Sequence, residues 1–230
     1  MPRRATALVL SALLAVPAAA DAPDPFAAVG WLGYGAGPKA GTPACSGVLI
    51  APQIVLTAAH CVIDPKTGAA RNLATMTFAP GMRGGHGVTS RHGTAAYVLP
   101  MLPPGAGLDE TANIAAVWLD SPVPADLALP MDIAPNAVEP GQDLVTIGYP
   151  RTDPENPVRQ EGCRIAEEVP PVIGLTCGAV SGFSGGAVMV HAGDKWQLAA
   201  IMVAQASQNP DFRLIAVAIP PDLVDRLSTP

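Results

Sequence analysis

An all-β fold of many short strands is what this sequence predicts, on three observations. Glycine occurs 23 times and proline 26 times in 230 residues, so few apolar runs go far without a turn residue. Those runs are short and closely spaced, as in a barrel or sandwich. The chain is 49% hydrophobic and only 14% charged, too apolar to stay disordered.

The elements follow in order. Arg3 and Arg4 precede an apolar run from Ala5 to Val16, then Ala18-Ala19-Ala20. A basic start, a short apolar core and small residues before a cut describe a secretory leader. The run is too short to span a bilayer. We expect cleavage after Ala20, a mature chain starting at residue 21 and a secreted or periplasmic home. Residues 21–26 form an acidic, Pro-containing lead-in. Strands are expected at 28–33, at 46–50 and 54–57 as a hairpin around Ala51-Pro52-Gln53, and at 76–78, 95–99 and 114–119. Residues 81–92 are Gly-rich and polar and read as a loop.

Between Pro124 and Pro140 prolines recur at 124, 130, 135 and 140 without periodicity, which reads as a passive connector. It divides a first unit, 21–123, from a second, 141–230. Further strands are expected at 143–149, 162–168, 172–177, 187–191, 197–204 and 212–218. A short helix closes the chain at 221–227, with Leu223, Val224 and Leu227 on one face. No internal repeat is evident.

Charge and cysteine usage narrow the function class. A net charge of −6 without a basic cluster argues against nucleic acid. Four cysteines in an exported chain imply two disulfides. Spacing suggests Cys45–Cys61 and Cys163–Cys177, one of three possible connectivities. Each such loop closure contributes about 3 kcal/mol. No Cys-x-x-Cys points to metal. His86 and His92 sit in the Gly-rich loop and His191 at a strand end, all read as surface residues. Trp31, Trp118 and Trp196 read as core or rim packing.

Three segments carry chemistry: Thr57-Ala58-Ala59-His60-Cys61, Asn113-Ile114-Ala115-Ala116-Val117-Trp118-Leu119 and Gly182-Phe183-Ser184-Gly185-Gly186. Acyl transfer by serine needs an alcohol, a base, a group orienting the base and donors for the oxyanion. Gly-x-Ser-x-Gly alone also fits an α/β-hydrolase, but that fold places its acid and histidine after the serine. Here His191 is the only histidine after Ser184. Only Asp21 and Asp24 precede His60, against the subtilisin order.

The order His60, Asn113, Ser184, with Ser46-Gly47-Val48-Leu49-Ile50 ahead of the histidine segment, resembles the chymotrypsin/trypsin-like serine proteases over roughly residues 28–227. The resemblance implies two antiparallel six-stranded barrels with a short C-terminal helix, the first carrying His60 and Asn113 and the second Ser184. It implies catalytic His60 and Ser184, an oxyanion hole of the Gly182 and Ser184 N–H groups, and a disulfide around the histidine loop matching Cys45–Cys61. Asn113 stands where the family has aspartate. An amide can orient an imidazole but supplies no charge for the imidazolium. Asp109 or Glu110, or more remotely Asp120 or Asp132, are candidate substitutes.

Phe183 replaces the aspartate that serves zymogen activation in animal digestive members. Together with Cys163…Cys177 before the serine motif, it makes the chain more similar to the bacterial, secreted, glutamyl-endopeptidase-like branch. Gly178, six residues before Ser184, argues against a preference for Arg or Lys, and Met202 and Val203 suggest a small or apolar pocket.

The implied function is a secreted serine endopeptidase, a hydrolase with activity reduced by Asn113. The alternatives are a pseudoprotease that binds peptides or proteins, and an esterase-like activity. A peptide or protein substrate is expected, with no cofactor, no metal, no nucleic acid, no stable membrane association after leader removal, and a monomeric state.

Overall fold

Residues 24–35, 37–39, 44–99, 114–206 and 209–228 are described by a computed structural model. The expected leader at 1–20, Asp109, Glu110 and Asn113 lie outside the described residues. Apolar and β-branched runs between turns form the first six strands: β1 (Val29–Tyr34), β2 (Ala44–Ala51), β3 (Ile54–Ala58), β4 (Met76–Pro80), β5 (Arg91–Leu99) and β6 (Ile114–Leu119). They close a barrel in the order β1-β2-β3-β6-β5-β4. All five residues of β3 are buried. One side of β3 fills the barrel and the other is covered by a strand of the second unit. Full burial of side chains such as Val55 and Leu56 contributes about 1.5–3 kcal/mol each.

The second unit contains β7 (Leu144–Gly148), β8 (Val158–Cys163), β9 (Ile165–Val169), β10 (Val172–Leu175), β11 (Ala187–Ala192), β12 (Lys195–Gln205) and β13 (Leu214–Ala218), then helix α1 (Leu223–Ser228). Its seven strands run β8-β7-β11-β12-β13-β10-β9. The fold is thus all-β as expected, with one closed six-stranded barrel, one half-barrel and a short C-terminal helix. Residues 162–168, read as one strand, are split at Arg164. Gly162 takes φ +68°, and the Arg164 side chain holds the Gly141 carbonyl at 2.9 Å and the Asp143 carboxylate at 2.7 Å. The chain bends away, and β8 and β9 become opposite edges of the sheet.

A single apolar core joins the units. Val29, Leu49, Val55 and Val117 of the barrel belong to the same buried cluster as Val145, Ile147, Met189 and Ile201 of the sheet. A smaller core within the second sheet gathers Leu144, Ile173, Leu175, Phe183, Val188 and Met202.

The 124–140 connector clamps both units, where a passive link was expected. The Met131 N–H donates to the Leu49 carbonyl at 2.8 Å, and Asp132 and Ala134 exchange backbone bonds with Leu198, each 2.8 Å. Burial of Ala128, Met131, Ala134 and Val138 seats it. The loop read at 81–92 ends early, because Arg91 and His92 already pair with Phe78 and Thr77 as the start of β5.

Candidate active site

The serine segment forms a tight turn ahead of β11, and its glycines explain how. Gly182 takes φ +103°, and a Cβ there would lie 2.4 Å from the Tyr149 carbonyl oxygen. Gly185 takes φ +84°, and its Cβ would lie 2.1 Å from the Ser46 carbonyl oxygen. Only glycine tolerates both the dihedral and the approach. Phe183 is buried in the smaller core and anchors the turn.

The backbone donors of this turn divide into two groups. Phe183 N–H donates to the Val180 carbonyl (3.0 Å), Gly185 N–H to Met202 (2.7 Å) and Gly186 N–H to Phe183 (2.8 Å). The N–H groups of Gly182 and Ser184 find no acceptor among the described residues. Backbone donors are normally paired, so these two, one on Ser184 and one two residues before it, are left available to a ligand oxygen.

The first barrel holds this turn in place. Ser46, wholly buried on β2, donates its hydroxyl to the Gly182 carbonyl at 3.0 Å and accepts the Tyr149 N–H at 2.8 Å. Its own N–H donates to the Ser184 carbonyl at 2.7 Å. The Thr57 hydroxyl, buried on β3, donates to the Ser46 carbonyl at 2.8 Å. Below them the Tyr149 hydroxyl donates to the Met82 carbonyl at 3.0 Å, and burial drives its pKa strongly upward.

His60 sits in a single 3-10 turn, Ala59–Cys61, at the end of β3. The Cys45–Cys61 disulfide ties that turn to β2, and the Tyr34 hydroxyl donates to the Cys61 carbonyl at 2.8 Å. The Nδ1 atom of His60 is buried. The β3–β6 register pairs Ala58 with Ile114, so β6 begins beside the histidine turn.

His60, Ser184 and Gly182 line one cavity of about 200 Å³, with Tyr34, the Cys45–Cys61 disulfide, Arg71 and Arg151 around it. Burial raises the Tyr34 pKa to about 12, against the opposing pull of Arg71, so the phenol stays neutral. Ligand atoms of Cys45, His60 and Cys61 lie within 4.8 Å of one another. Both sulfurs are committed to the disulfide, which leaves no thiolate set for a metal. The second disulfide, Cys163–Cys177, is also formed.

Residues 45–201, some two thirds of the chain, match the trypsin-like peptidase domain. The chain belongs to the trypsin-like peptidase family. Two solved structures share the fold. One is a Glu endopeptidase solved in complex with MPD, with TM-score 0.70 and 20% identity over 89% of this chain and 90% of that one. The other is a thermostable serine protease from an extremophilic microorganism, with TM-score 0.63 and 17% identity over 87% of this chain and 94% of that one. No curated protein matches the chain by sequence.

In this trypsin-like peptidase a second cavity, about 220 Å³, also touches Ser184 and is lined by residues 179–184, Met202, Ala204, Gln205 and Leu214. Its side chains carry no charge. Met202 lines it as the sequence suggested, but Val203 does not. Strand alternation turns Val203 into the main core. Gly178 lines a neighbouring cavity with Asn209 and Arg213.

Two candidate substitute acids are misplaced. Asp120 follows the far end of β6, about 20 Å from Ile114 at the strand rise. Asp132 is exposed on the connector. Neither lines the His60 cavity. His86, His92 and His191 are exposed. Trp31 is buried in the core, while Trp118 and Trp196 are half-buried.

Sequence reasoning gave no role to Ser46, Thr57 or Tyr149 and overlooked Arg71, Arg151 and Tyr34. Ser46 and Thr57 stood inside quoted motifs. No sequence signal marked the others, because their significance depends on contacts between segments far apart in the chain.

Proposed function

We propose that this chain is a serine endopeptidase, exported by the 1–20 leader, that hydrolyses peptide bonds through an acyl-enzyme on Ser184. The observation that carries the reading is the pair of idle N–H donors, Gly182 and Ser184, beside the cavity that His60 also lines. Ser184 Oγ attacks the scissile carbonyl, and His60 takes its proton. The carbonyl oxygen becomes an oxyanion held by the two donors. His60 then protonates the departing amine, and water, deprotonated by His60, releases the acyl group. Asn113 orients His60 without offering it a counter-charge, which lowers turnover. The uncharged cavity beside Met202, Ala204 and Leu214 takes a neutral side chain on the acyl side.

A second reading, a peptide-binding pseudoprotease, is favoured by the amide at the acid position and by the lack of any carboxylate among the described residues that line the His60 cavity. One experiment separates them. Residues 21–230 are treated with a fluorophosphonate probe beside the Ser184→Ala variant. Labelling that disappears in Ser184→Ala supports the peptidase. Absence of labelling, restored by Asn113→Asp, supports the binding protein.

A further inference from the structure

The His60 cavity carries two cations that the proposed chemistry does not use. Arg71 and Arg151 both line it, and both are exposed. Neither makes an ion pair among the described residues, whereas Arg83, Arg159, Arg164 and Arg226 each do. Asp64 feels the charge of Arg71. Its pKa is lowered first by the Lys66 N–H and only then by nearby cations including Arg71, and it does not line the cavity. In a chain of net charge −6, two uncompensated guanidinium groups at the mouth of one small cavity are a specific placement.

Both residues are tied to the frame of the cavity, Arg71 through its side chain and Arg151 through its backbone. The Arg71 guanidinium lies 6.0 Å from the centroid of the Tyr34 ring, and Tyr34 is itself bonded to Cys61. The Arg151 N–H donates to the Ser181 carbonyl at 2.7 Å, next to the idle donor of Gly182.

The cavity's place in the reaction follows from His60. The group that protonates the departing amine must face the departing half of the substrate. His60 lines this cavity and not the uncharged one beside Met202. This cavity therefore receives the residues that follow the scissile bond. Guanidinium groups bind carboxylates with charge-assisted hydrogen bonds.

We infer that Arg71 and Arg151 form a carboxylate-reading subsite on the leaving-group side, selecting substrates with an acidic group one or two residues beyond the scissile bond. The inference rests on the serine peptidase reading for its sense of direction. The carboxylate has two sources, an Asp or Glu side chain or the substrate's own C-terminus.

The test uses matched peptides with Asp, Asn or Lys at the first or second position after the scissile bond, each with a free or an amidated C-terminus. Cleavage by residues 21–230 is compared with Arg71→Gln, Arg151→Gln and the double variant. Binding of the same peptides to the Ser184→Ala chain is measured by fluorescence anisotropy, which needs no turnover. The expected result is an Asp-over-Asn preference of about five- to tenfold in kcat/KM and in Kd, reduced to near unity in the double variant and weakened by salt. A preference seen only with the free C-terminus assigns the subsite to a terminal carboxylate. Equal binding of Asp, Asn and Lys peptides, or a preference that survives the double variant, overturns the inference. Failure of cleavage with a persisting Kd preference overturns the peptidase reading and leaves the subsite standing.

Discussion

The hydroxyl of Ser46 and the carbonyl of Gly182, 136 residues apart, are joined by a buried 3.0 Å hydrogen bond. Through it a strand of the first barrel holds the turn of the second unit that presents Ser184. The bond aligns the peptide plane next to the idle Gly182 N–H. The same hydroxyl accepts the Tyr149 N–H, so one oxygen sets two backbone segments.

Ser46→Ala should therefore reduce both stability and turnover. It leaves the buried Tyr149 N–H without its acceptor, which costs about 1–3 kcal/mol. Urea unfolding should show that loss. The pre-organisation of the Gly182 donor weakens as well, so kcat should fall more than KM rises. If kcat is unchanged while stability drops, Ser46 braces the fold but not the donors.

Asn113→Asp should raise turnover by about 10²–10⁴, since in enzymes of this fold the reverse change costs about 10⁴. Burst kinetics with an activated ester would separate acylation from deacylation. An unchanged rate would mean that another group already serves His60. Asp120 and Asp132 are excluded by their positions, which leaves Asp109 and Glu110 as the variants to combine with it.

On the proposed reaction, the uncharged cavity beside Met202 takes the side chain on the acyl side. Peptides with Ala, Val or Leu before the scissile bond should exceed those with Arg, Lys or Glu by about 10² in kcat/KM, because a charge buried there has no partner. Ala179→Asp would place a carboxylate in the wall and should raise cleavage after Arg or Lys. A Glu preference in the native chain would refute this, despite the likeness to a Glu endopeptidase.

Strands and motifs were legible where the signal is local. Ile114–Leu119 and the Thr57-to-Cys61 segment carry their own patterns, and both disulfides join cysteines close in sequence. The break of residues 162–168 into β8 and β9 was not legible, because the Arg164 side chain there meets Gly141 and Asp143 from another segment. The brace was equally hidden. Ser46 looks like any strand serine until Gly182 and Tyr149 arrive from the other unit. Arg71 and Arg151 lie 80 residues apart in sequence and acquire meaning only by lining one cavity.

Alkaline pH should destabilise the fold through its buried phenols. Burial raises Tyr34 to about 12 and Tyr149 further still, while both ionise near 10 in the unfolded chain. Below pH 10 both states hold these protons, and the contribution is fully present. Above pH 10 the unfolded chain releases them and the folded chain does not, so stability falls as pH rises through 12. Denaturation midpoints at pH 9, 10, 11 and 12 should show this decline. Tyr34→Phe, which keeps the ring but has no phenol to ionise, should flatten its share of the slope, and Tyr149→Phe a larger share at some cost at neutral pH from the lost bond to Met82. An identical slope in both variants would mean that other groups govern alkaline unfolding.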